Sequence, residues 1–390
     1  MLNREVLHRR YTLFAMLVLA ICGCYSMRLY DGEENFSVNI AIIYLATFAV
    51  LLPGMIPYLR LRAQQNVIRP IKWIGVLMVW MAMVSLVYAP GLKPAIYQCL
   101  CALIPLATMT CMYAYSAQYG MDKRIYWMVF VMQCIFITQY AQVYNVMNLI
   151  QEAHLMTSYY PLFILPLVLL LPSKTIRYTS IALIVIVIFS SLKRGGLVAL
   201  TVGLLAYIFC SAGTNKRNLK SFIWLIVALG ILGAMYFYIA NSEFGGVINR
   251  LSSIGDDGGS GRTRIWRVTW QMIQRSGFMQ QLVGHGFNGV IDNSPILFSA
   301  HNDFLEVWYD YGLVGAGLYV GTIVSLIRYT LRLIREKAAI APPMAMMLGI
   351  MLVLSMISIV VTSYFMVLCC LVIGFLAGQD KYNKQHLNTE

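Results

Sequence analysis

The chain has 390 residues, of which 59% are hydrophobic and only 12% charged, and its mean hydropathy is +0.70. A soluble domain carries about 25% charged residues, so this composition excludes a water-soluble globular fold and points to a polytopic membrane protein. The formal net charge of +13 reflects orientation against anionic lipid rather than binding of nucleic acid.

Apolar stretches long enough to cross a hydrocarbon core of roughly 30 Å as helices recur along the whole chain. About twelve spans are predicted, centred near Leu17, Phe48, Met81, Ala107, Phe130, Leu165, Ile184, Leu204, Val227, Tyr319, Leu352 and Leu368. Lysine and arginine are retained on the cytoplasmic side. Most of the 29 cations accordingly fall on one side: Arg4, Arg9 and Arg10 at the start, then Arg60, Arg62, Arg69 and Lys72, then the later even-numbered loops and the tail with Lys381 and Lys384. Both termini are therefore expected in the cytoplasm. The fold class is all-α, with a helical outer loop domain between spans nine and ten. The expected organisation is spans one to nine over 1–240, the loop domain over 241–310, spans ten to twelve over 311–379 and a cytoplasmic tail over 380–390. All nine cysteines lie in expected spans, so no disulfide framework is implied. Cys22-x-Cys24 and Cys99-x-Cys101 lack loop partners, and neither a metal site nor a cofactor is expected.

The cations that oppose the orientation bias gather in two places. Lys193-Arg194 lies between two apolar runs and precedes Gly195-Gly196. A charge near membrane depth costs at least about 2.5–3.5 kcal/mol and usually marks a cavity or a partner. Arg250, Arg262, Arg264, Arg267 and Arg275 lie in the one long hydrophilic loop. There Gly255–Gly261 reads as a flexible turn, and Ser260 is placed to cap a helix starting near Arg262. Trp266, Trp270 and Ile273 give that helix an apolar edge, while Arg264, Arg267, Gln271 and Arg275 share another side. Arg262 sits at the first turn, where helix N–H groups also favour an anion. Gly277 ends the helix, and Val283–Phe287 forms a second turn. A further helix is predicted from near Ser299, with His301 and Asn302 in its first turn. Asp303, Glu306 and Asp310 line one face of it, read first as solvated or as ion-pair partners of the arginines, with a role in orienting His301 as the alternative. Gly312 and Gly315 mark re-entry into the bilayer.

Arginine offers planar, bidentate donors to phosphate oxygens and stays charged in any environment. Several of them near the outer interface suit a lipid diphosphate. A histidine beside them is a candidate general base. The competing readings are a secondary transporter or lipid-linked glycan flippase, and a non-catalytic scaffold. The missing internal repeat and the near-absence of acids within the spans disfavour transport.

The ordered set Ser191-Leu192-Lys193-Arg194-Gly195-Gly196, Gly259-Ser260-Gly261-Arg262 with Trp266, Gly284-x-Gly286, and His301-Asn302-x9-Gly312-x2-Gly315 resembles the O-antigen ligase and polymerase superfamily of bacterial envelopes. The resemblance implies an inverting, metal-independent glycosyltransferase of the inner membrane with a periplasmic active site. The implied donor is a glycan on undecaprenyl diphosphate, and the implied acceptor is lipid A core or a second lipid-linked glycan. Under it His301 takes the acceptor proton, and Arg194 and Arg262 stabilise the leaving diphosphate. Lys193, Arg264, Arg267, Arg275 and Asn302 complete the substrate contacts. Gly315 is followed by Ala316, where the ligase form often has Thr, so ligase and polymerase both stay open.

Overall fold

The computed structural model describes residues 4–28, 38–63, 68–150, 156–191, 193–214, 230 and 261–387. Among them every regular element is helical. In chain order these are α1 (Arg4–Arg28), α2 (Val38–Ala63), α3 (Arg69–Tyr88), α4 (Leu92–Tyr119), α5 (Lys123–Ile150), α6 (Tyr159–Val168), α7 (Lys174–Ser190) and α8 (Arg194–Thr214). After the undescribed stretch come α9 (Arg262–Arg275), α10 (Phe278–Val283), α11 (Gly289–Asn293), α12 (Asp303–Arg335), α13 (Ala341–Ile357) and α14 (Tyr364–Leu387). Among the described residues, five helical segments are long and apolar enough to cross a membrane: Ile42–Leu59, Arg69–Tyr88, Pro94–Tyr119, Asp303–Arg335 and Tyr364–His386. Shorter apolar helices run over Tyr159–Val168, Gly195–Ser211 and Ala341–Ile357. Each expected span centre falls inside a helix except Val227, which lies outside the described residues, as do Arg250 and Ser260.

The core is built on α4, which packs against α2, α3 and most extensively α14. Two glycines make that last contact possible. A Cβ on Gly374 would overlap the Met109 carbonyl, and one on Gly378 would overlap that of Tyr113. Two small residues four apart let helix backbones approach closely in a bilayer, where van der Waals packing drives association. On the other side α8 packs along α13, and α12 lies on α3.

Helix α12 is two helices joined at a kink, where Gly312 takes φ +70°. The lower part, Leu313–Arg335, is about 34 Å long at 1.5 Å per residue, enough to cross a bilayer core. A kink strips the carbonyls above it of their i+4 partners, which is costly at membrane depth. Three replacements are present. Tyr309 O accepts from the His285 N–H (3.1 Å), Asp310 O accepts from the Gly286 N–H (2.8 Å), and Tyr311 O accepts from Trp80 Nε1 of α3 (3.0 Å). The Gly284-x-Gly286 turn is therefore the cap of the broken helix. Gly284 (φ +101°) and Gly286 (φ +97°) take backbone angles that L side chains rarely adopt, and Gly284 and Gly312 each leave no room for a Cβ against the other segment's backbone.

Candidate active site

Helices α9, α10 and α11 all pack on the upper part of α12. The α9 helix starts at Arg262 as expected, but its N-cap is Gly261, in the left-handed conformation and with no side-chain cap. Ile273 of α9 joins Val290, Ala300 and Tyr309 in a small apolar core of their own. At 100° per residue, Arg262 shares the side of Thr269 and Ile273, both buried. Arg264, Arg267 and Arg275 lie across the wheel and are exposed, whereas Arg262 is half-buried. So the arginines do not form one group: one lies along the packed face and three look outward.

Arg262 is brought to the α7–α8 turn. Its charge acts on both Lys193 and Tyr159. Burial, and after it the Arg262 charge, pushes the Lys193 ammonium below the ordinary lysine range. The ion pairs among the described residues involve only Arg332, Lys384, Glu336 and Asp380, so no described carboxylate pairs with Lys193 or Arg262. Arg194 is the first residue of α8, whose opening turn is capped by the Lys193 carbonyl, bonded by the N–H groups of Gly196 (3.0 Å) and Leu197 (3.3 Å). The glycine pair lets this turn nest: a Cβ on Gly195 would lie 2.6 Å from Ile357 and 3.0 Å from the Tyr159 hydroxyl.

His301 sits elsewhere in the helix than expected. The helix begins at Asp303, Asn302 is its N-cap, and His301 precedes the cap with φ +48°. A left-handed non-glycine residue costs roughly 1–2 kcal/mol and persists only where its surroundings hold it. Asn302 Oδ1 accepts from the Phe304 N–H (3.0 Å) and the Leu305 N–H (3.3 Å), and its Nδ2 reaches Met356 O (3.5 Å). On the other flank the Ala300 N–H donates to Glu306 Oε2 at 2.6 Å.

His301 lines a cavity of about 300 Å³. Its walls come from Leu19 and Cys22 of α1, Tyr44 of α2, Tyr97 of α4, and the segment from Ser358 into α14. Glu306 shares the cavity, but neither Lys193 nor any described arginine of α9 lines it. What joins the two groups is the end of α13. Ile357 touches the Gly195 turn, Met356 receives Asn302, and the Val360 N–H (2.8 Å) and Val361 N–H (3.2 Å) donate to Asp303 Oδ1.

The three carboxylates of α12 are buried and hydrogen-bonded, not solvated. Asp303 also accepts from Tyr319 Oη (2.8 Å), and Asp310 Oδ1 accepts from the Val290 N–H (2.9 Å). None pairs with an arginine among the described residues. The signal was present in the sequence: Val307 and Tyr311 are interleaved with the acids, so the acids share an inward stripe. The cavity walls from α1, α2, α4 and 358–367 left no local motif to read. His285 is a structural residue. Its ring stacks on Tyr309 at 4.0 Å, with Nδ1 on Tyr309 O (3.0 Å) and Nε2 on Ser276 Oγ (3.2 Å).

The fold and this site define a helical membrane protein that presents half-buried cations and a cavity-lining histidine above a broken span. Residues 179–320 match the family model described as O-antigen ligase, and the match supports the likeness to the O-antigen ligase and polymerase superfamily over that segment. No curated protein matches the chain significantly. The match runs from α7 into α12 and takes in Arg194, Arg262, His301 and both glycine motifs. The coarse consequence is a bacterial membrane protein of the glycosyltransferase type.

Proposed function

We propose that this protein transfers a glycan from undecaprenyl diphosphate to a sugar hydroxyl at the periplasmic face of the inner membrane, with inversion and without a metal. The observation that carries the reading is that the Arg262 charge reaches Lys193, which burial already pushes toward its neutral form, while neither cation has an ion-pair partner among the described residues. A multivalent anion would complete such a site. A diphosphate supplies one. Arg194, at the head of α8, belongs to the same turn.

In the step proposed, the acceptor oxygen attacks the anomeric carbon while its proton passes to the His301 imidazole. The bond from that carbon to the diphosphate oxygen breaks, and the electron pair leaves with undecaprenyl diphosphate. Arg194, Arg262 and Lys193 hold the charge that develops there, and Asn302 fixes the corner that carries His301. Residues 241–310 form the periplasmic part, between spans up to 240 and spans over 311–379, with the tail at 380–390 and both termini in the cytoplasm. The acceptor is lipid A core for a ligase or a second lipid-linked glycan for a polymerase.

The test offers a defined undecaprenyl-diphosphate oligosaccharide to membranes with each acceptor separately. Product on rough lipopolysaccharide identifies a ligase, and a ladder of longer lipid-linked glycans a polymerase. Either should fall by about 10²–10⁴-fold in His301→Asn, which tolerates the left-handed backbone but cannot take the proton. Wild-type activity in that variant sinks the proposal.

A further inference from the structure

Glu306 has no assigned role, yet it is 1% exposed, lines the cavity of His301 and makes the 2.6 Å bond to the Ala300 N–H. The usual capping box sends a glutamate at the third helical position back to the N–H of the cap itself. Here the carboxylate lies one position further into the helix and reaches past the cap, Asn302, to the residue before His301. Ala300 is fully buried, so its N–H has no access to water as a substitute partner. His301 is thus bracketed on both sides: Asn302 ties the chain to the helix and to Met356, and Glu306 ties Ala300 to the same helix one turn later.

We propose that Glu306 is the positioning residue of His301: its carboxylate holds the Ala300 N–H and so fixes the left-handed corner from which the imidazole meets the cavity. The inference rests on the proposed role of His301 as proton acceptor. It separates two jobs on one helix face. Asp303 fastens the α13–α14 link through Val360 and Val361, and Glu306 fastens the corner that carries the histidine. It also requires a hydrogen-bond acceptor at position 306, not a charge.

The experiment uses the full chain in lipid nanodiscs and compares wild type, Glu306→Gln, Glu306→Ala and His301→Asn with the same lipid-linked donor. Glutamine keeps an oxygen for the Ala300 N–H and should hold kcat within about fivefold, whereas alanine should lower kcat by about 50-fold or more with donor KM within about twofold. A second readout does not depend on transfer: the rate at which diethyl pyrocarbonate modifies His301, followed by peptide mass spectrometry. It should change by at least about fivefold in Glu306→Ala and stay near wild type in Glu306→Gln. The proposal is overturned if the modification rate of His301 is the same in all, if glutamine fails as badly as alanine, or, where His301→Asn has lost transfer, if the alanine variant keeps its kcat or donor KM alone moves. Should His301→Asn transfer as wild type while the modification rates separate as stated, the reaction assigned to His301 fails and the positioning by Glu306 stands.

Discussion

At the residue scale the informative contrast is among the arginines of α9. All were legible as candidates, because cations on the outer side oppose the bias that orients the chain. Which of them turns inward was not, because that depends on where α9 meets α12 and the α7–α8 turn. Arg262 is half-buried beside Lys193, while Arg264, Arg267 and Arg275 are exposed. Buried charges are screened far less than exposed ones, and raising ionic strength from about 0.1 to about 1 M shortens the screening length from about 10 to about 3 Å. Arg262→Gln should therefore lower kcat/KM for the lipid-linked donor by about 10²–10³-fold at both salt concentrations. The triple change of Arg264, Arg267 and Arg275 to Gln should cost less than about tenfold at low salt and almost nothing at high salt. Donor kinetics at two ionic strengths decide it. A salt-insensitive loss in the triple variant would return these three to the site.

At the element scale, Gly284-x-Gly286, which reads in the sequence as a turn, and Gly312, which reads as a mark of re-entry, form a joint between two segments. Kinking α12 at Gly312 exposes three carbonyls, and the Gly284-x-Gly286 turn and Trp80 satisfy them. A sequence shows that glycines recur; it does not show that one pair fits the other, since the contact links backbone atoms distant in the chain. The fit has a sharp consequence. A methyl on Gly312 would overlap the Leu282 carbonyl at a φ that disfavours side chains, whereas Gly317, one turn further down, has nothing within 4 Å. Gly312→Ala should destabilise the protein by about 2 kcal/mol or more, the range for forced backbone shifts with strain. Gly317→Ala should be neutral or slightly stabilising, by up to about 1 kcal/mol. Thermal unfolding in a single detergent reads both. Equal midpoints would mean that the kink is not the tight joint described. The same logic explains why the sequence does not show that the acids of α12 are buried. Their spacing is plain, but of the partners that hold them only Tyr319 is on the same helix, and Val290, Ala300 and Val360 come from three other stretches of chain.

At the scale of the whole molecule, composition fixed the class and the charge pattern fixed an expected orientation, because both are sums over many residues and tolerate local error. The positions of the elements add one fact that sums do not supply. The ion pairs formed by Arg332, Glu336, Asp380 and Lys384 sit where the C-terminal ends of α12 and α14 meet, with Asp380 also accepting from Tyr329 at 3.1 Å. The α9–α11 helices pack at the opposite, N-terminal end of α12. One span therefore separates a pinned ionic end, expected inside, from the end that carries His301. This makes topology a direct test of the function, since a donor presented at the periplasmic face can be used only if α9–α11 are there. Phe278→Cys and Lys337→Cys, each exposed, would be placed singly in a cysteine-free version of the chain and treated with a membrane-impermeant maleimide in spheroplasts. Position 278 should label in intact cells and position 337 only after lysis. The reverse pattern would put His301 and the Lys193–Arg262 pair in the cytoplasm, and the periplasmic transfer reaction would then have no site in this protein.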